Sequence, residues 1–121
     1  MIRLLSVVIL LAALSNSAQG NVLKELSLDQ KVESSELVII GTVVGVKEQG
    51  CLEMYRCAYL KVVSVLKGSP DAEIPVLFDG PIAEEESACC EAGRSYLFFL
   101  TKVRGAYYAS SNGPYGVYRT P

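Results

Sequence analysis

The residues best able to do chemistry are four cysteines, Cys51, Cys57, Cys89 and Cys90, in a chain of 121 residues. In an exported chain an even number of cysteines reads as disulfides, and four allow three pairings. A Cys51–Cys57 bridge would tie the base of a hairpin and leave Cys89 to its own neighbour. The other two pairings join the Cys51/Cys57 region to the Cys89/Cys90 region by two bridges, and these crossed pairings are the expectation. Each would close a loop of roughly 40 residues, worth about 3–4 kcal/mol on the chain-entropy account. The alternative is a thiol–disulfide role for the vicinal pair Cys89–Cys90. A four-thiolate zinc site fits poorly, since the spacings differ from CxxC knuckles.

Carboxylates come next. Asp79 and the run Glu84-Glu85-Glu86 could attract calcium, whose ligands are oxygens, but adjacent carboxylates usually form a solvated loop. Nothing marks a pocket that would split their pKa values for acid–base work. Histidine is absent, which removes Ser-His and Cys-His pairs and histidine metal sites. Phosphate-cradling glycine loops are absent too. Lys67 has no visible partner and reads as a solvated cap. No cofactor is implied, and the reading is of a non-enzymatic protein.

The elements that must position these residues are mostly strands. Ser27–Ser35 reads as a short helix: Ser27 and Gln30 have capping-box spacing, and Leu28 and Val32 share a face. Leu37–Val46 is the strongest strand, with Gly41 and Gly45 four residues apart and therefore on one side. Lys47–Arg56 is a polar hairpin connection. Cys57–Leu66 is the next strand, and a slip in its apolar phase predicts a β-bulge near Val63-Ser64. Ile74–Phe78 carries Pro75, which cannot donate to a ladder, so it lies at an edge or turns Pro75 away from its neighbour. Asp79–Arg94 is a long acidic loop. Ser95–Leu100, Ala106–Ala109 and Tyr115–Arg119 complete the set. Seven of the ten aromatics fall between Tyr96 and Tyr118; on a small barrel these are more often core and rim than a stacking platform. The expected fold is all-β, a small antiparallel OB-like barrel of five to six strands with one or two short helices.

The front of the chain indicates compartment. Arg3 precedes the apolar run Leu4–Leu14, and small or polar residues follow up to Gly20. This is a secretory signal pattern, too short to span a bilayer. Cleavage after Gly20 gives residues 1–20 as signal peptide and 21–121 as one domain beginning at Asn21. The expected product is secreted or periplasmic, without a membrane span. Removing Arg3 takes the net charge from −2 to −3, which argues against a nucleic-acid partner.

Three segments in order, SSELVIIGTVVGV, AYLKVVSVLKG and CCEAGRSYLFFL, resemble the netrin-like or TIMP-like module, the OB-fold domain of the tissue inhibitors of metalloproteinases and of many exported bacterial proteins. The ending GPYGVYR is similar to that of bacterial members. The resemblance covers roughly residues 28–100 and implies a binding module with a protein or peptide partner. It also implies an alternative, inhibition of a metalloprotease. In the tissue inhibitors a first-residue cysteine chelates the protease zinc; here Asn21 stands at the expected start.

Barrel strands are committed to the core, so a partner is expected at the loops. Crossed disulfides would hold the Lys47–Arg56 and Asp79–Arg94 loops together beside the segment Asn21–Leu26. Within that rim Leu52, Met54 and Tyr55 are apolar or amphipathic residues in a polar connection. With Asn21 they are the candidate partner-binding residues.

Overall fold

The computed structural model describes residues 23–52, 54–80 and 89–121. The expected signal segment, Asn21 and Glu84-Glu85-Glu86 lie outside them. Helix α1 spans Leu28–Ser34. Six strands follow: β1 Leu37–Lys47, β2 Arg56–Lys67, β3 Glu73–Phe78, β4 Ser95–Arg104, β5 Tyr107–Ser110 and β6 Val117–Arg119. A 3-10 turn over Gly113–Gly116, with Pro114 near its start, takes the first residues of the expected last strand.

The sheet order is β1-β2-β3-β5-β4-β6, and β1 also pairs with β4. Five strands therefore close into a ring, with β6 attached outside it to β4. This is the expected all-β, OB-like barrel. It departs from full antiparallel pairing at one place: β3 and β5 meet in parallel at Val76↔Tyr108. Pro75, whose missing N–H limits pairing, sits beside that single bridge.

Bulges bend the strands. Along β1–β2, Ile40 faces Ser64 while Gly41 faces Val62, so Val63 is the extra residue, as the apolar slip predicts. The register shifts twice more, leaving Leu66 of β2 and Val44 of β1 unpaired. These three are among the exposed large apolar side chains, because a bulged residue drops out of the inward alternation. The Val44 bulge also corrects the glycine expectation. Gly41, one step beyond Thr42 from the buried Val43, keeps the core face, where a Cβ would touch Leu60; Gly45 lies opposite Tyr59 in open space. The two glycines therefore do not share a side.

The barrel interior holds Ile39, Val43, Leu60, Val76, Phe98 and Leu100, all nearly inaccessible. Tyr96 and Phe99 are also buried, so these aromatics serve the core.

Helix α1 begins at a complete capping box: Ser27 Oγ accepts from Gln30 N–H, and Gln30 Oε1 accepts from Ser27 N–H. Its packing inverts the expected amphipathic sense. Leu28 is exposed and Val32 is at the margin, while Lys31 is only 4 % exposed. Lys31 Nζ donates to Tyr118 Oη and Glu25 Oε2 and lies 4.9 Å from the Tyr118 ring centre. Lys67 is not a free cap either. Its Nζ donates to the carbonyls of Val32 (2.7 Å) and Glu33 (3.4 Å), closing the C-terminal end of α1.

Candidate functional site

The end of the barrel where β1 leaves and β2 enters gathers four segments distant in sequence. Leu23, Tyr55, Asp79, Gly80 and Ser111 line one concavity of about 190 Å³ there. Tyr55 follows a tight turn in which its N–H donates to the Leu52 carbonyl at 3.1 Å. Its half-buried ring lies over Gly80, where any Cβ would overlap it. Of the other expected rim residues, Leu52 is half-buried and Met54 is 76 % exposed.

The tie across this rim is not the expected one. The bridges are Cys51–Cys57 and Cys89–Cys90, which corrects the crossed pairing. The first closes the β1–β2 connection on itself, and neither joins that connection to the acidic loop. Arg56 makes the link instead. Its Nη1 reaches Glu48 at 3.1 Å in the hairpin, its Nη2 reaches Asp79 at 2.7 Å at the exit of β3, and its guanidinium lies 4.5 Å from the Phe78 ring centre. Asp79 is the one non-glycine residue with positive φ (48°) among those described. Aspartate tolerates that conformation, and the arginine holds it there.

The N-terminal segment is fixed by Asn112, which is 4 % exposed. Its Oδ1 accepts from Leu26 N–H at 2.9 Å and its Nδ2 donates to the Lys24 carbonyl at 3.0 Å. One amide side chain thus pairs with the backbone on both sides of Glu25, as a neighbouring strand would. Sequence reasoning missed Asn112 because Asn-Gly-Pro reads as a turn. It missed Arg56 because nothing local marks an arginine at a strand start as the centre of a network.

Burial alone would lower the Lys31 pKa. The hydrogen bond and charge interaction with Tyr118, followed by those with Glu25, outweigh it and hold the ammonium above the ordinary lysine value.

A second cavity of about 460 Å³ lies beside Cys89 and Cys90, lined also by Arg56, Glu91, Tyr96 and Arg119. A third, apolar groove of about 420 Å³ runs between α1 and the outer faces of β1, β2 and β4. Among the described residues no group of three or more acidic or cysteine side chains could hold a metal. Nor is any helix among them long and apolar enough to cross a membrane. No protein-family model and no curated protein matches the chain.

Proposed function

We propose that this chain is an exported, non-enzymatic binding module of the netrin/TIMP-like kind that takes a protein or peptide partner on the rim around Tyr55. The observation that carries the reading is the convergence of Leu23, Tyr55 and Asp79-Gly80, three segments tied to the barrel by Arg56 and Asn112. A rim ordered before contact lowers the entropy cost of binding. Met54 adds an exposed, adaptable apolar contact at its edge. The signal-like first 20 residues support export.

The test pairs capture with stability. The conjugate substitution Leu52→Ser with Met54→Ser is assayed for thermal melting and for capture of extracytoplasmic proteins, with Tyr55→Ser made separately because its ring covers Gly80. Melting unchanged and capture lost in the pair supports the rim. Retained capture, or capture lost only together with folding, defeats it.

A second reading, metalloprotease inhibition, draws support from the N-terminal segment lying against the same rim. It requires a free terminal amine as a metal ligand, since no cysteine starts the mature chain. Acetylating that amine would abolish inhibition and leave a plain binding module unaffected.

A further inference from the structure

We propose that Cys89–Cys90 is a reducible disulfide that exchanges with thiols through the cavity it lines, a function separate from binding at the rim. The pair is adjacent in sequence. A bridge between neighbours closes almost no chain, so on the loop-entropy account it constrains the unfolded state very little. Structural stapling therefore gives little reason for it. Cys57 is wholly buried, whereas Cys89 is half-buried at the wall of an open cavity and Cys90 lies just behind it against the core.

The other lining groups suit thiolate chemistry. Arg119 forms no ion pair with any described residue. The Nε of Arg56 is buried and has no hydrogen-bond partner among them. Glu91, the cavity's one described carboxylate, is engaged by Arg94 at 3.4 Å, and the Tyr96 hydroxyl accepts from the Glu91 N–H at 3.0 Å. The Arg56 guanidinium is shared by Glu48 and Asp79, so Arg119 is the cation lining the cavity that no described carboxylate engages, and the cavity's own carboxylate is already partnered. Neighbouring cations stabilise a thiolate, and a lower leaving-thiol pKa speeds exchange.

The step balances as a two-electron exchange. A thiolate attacks the more accessible Cys89 Sγ, a new sulfur–sulfur bond forms, and the Cys89–Cys90 bond breaks with its electron pair leaving on Cys90 Sγ. A second thiolate of the reductant attacks the mixed disulfide at the reductant's own sulfur and releases Cys89 as a thiolate. Two thiols of the reductant become one disulfide, and their two protons end on Cys89 and Cys90. The reductant is a thiol, either a small molecule that enters the cavity or a partner protein's dithiol.

The oxidised full chain is treated separately with reduced glutathione and with a reduced thioredoxin, then alkylated with a mass tag and mapped. The expected result is tagging at Cys89 and Cys90, none at Cys51 or Cys57, and an unchanged circular dichroism spectrum. With glutathione, the trapped mixed disulfide sits on Cys89. Reduction by glutathione identifies the small-thiol source, and reduction by thioredoxin alone identifies the protein source. Arg119→Gln, on an outer strand, slows the exchange about threefold, because the departing thiolate loses a neighbouring cation. Lys102→Gln, which removes an exposed cation that does not line the cavity, leaves the rate unchanged. Resistance of Cys89–Cys90 to both reductants short of unfolding, tagging of Cys51 and Cys57 at the same rate, or an unaltered rate in Arg119→Gln overturns the proposal. None of these outcomes bears on capture at the rim.

Discussion

Lys31 spends its charge inside the protein. Its Nζ is removed from water, yet Tyr118 and Glu25 keep it protonated and raise its pKa above 10.5. A group whose pKa is higher folded than unfolded stabilises fully below the unfolded value and loses that contribution as pH rises through the folded one. Stability should therefore hold across neutral pH and fall above about pH 10.5. Lys31→Met should cost about 1–2 kcal/mol at pH 7, the net of a lost charge-assisted bond and the relief of an ammonium held out of water. Chemical denaturation from pH 7 to 11.5 should show the gap between the two proteins closing at the alkaline end. A constant gap would mean that Lys31 acts through packing of its methylenes alone. Arg56 differs in kind. It is partly exposed and divided between Glu48 and Asp79, so its value lies in geometry across the rim more than in energy.

At the scale of elements, α1 and the N-terminal segment are held by caps and clamps with little apolar burial. Two substitutions separate these devices. Ser27→Ala removes half of the capping box and should cost about 1 kcal/mol, read as a lower melting temperature. Asn112→Ala leaves the Leu26 N–H and Lys24 carbonyl without their partner and should cost about 2 kcal/mol. It should also open residues 23–26 to proteolysis before the barrel unfolds; simultaneous loss of both would show that the segment is integral to the barrel. The capping box was legible because its signal is local: two side chains at fixed spacing. The Val63 bulge was legible because a phase slip is written into the alternation itself. The bulge at Val44 was not, since β1 is apolar on both faces and a slip leaves no mark in its pattern. The orientation of α1 was hidden for a related reason. Leu28 and Val32 advertise an apolar face, but Lys31 finds Tyr118, which is 87 residues away, and no local rule connects them. The rim residues lay close to one another in the reading, but the agents that hold the rim, Arg56 and Asn112, act through partners at long range.

The whole molecule is a closed ring of five strands, and closure is where its stability must reside. No bridge crosses the barrel: Cys51–Cys57 has a sequence separation of 6 and Cys89–Cys90 of 1. The ring instead depends on β1, which pairs with β2 along Val38–Lys47 and with β4 along Leu37–Thr42, and on interior residues such as Ile39 and Phe98 that both pairings enclose. This arrangement predicts how the protein responds to complete reduction. On the chain-entropy account a loop the size of Cys51–Cys57 contributes about 2 kcal/mol and the vicinal pair close to nothing. Two crossed bridges, each spanning roughly 40 residues, would each have contributed about 3–4 kcal/mol before allowance for nesting. Urea unfolding of the reduced and oxidised chains should therefore differ by about 2 kcal/mol, with the reduced chain still folded in the absence of denaturant. A loss beyond about 4 kcal/mol, or a reduced chain that does not fold, would mean that long-range covalent ties carry the barrel. The slope of unfolding against urea should rise slightly on reduction, because a chain freed of even a short loop exposes more surface when it opens.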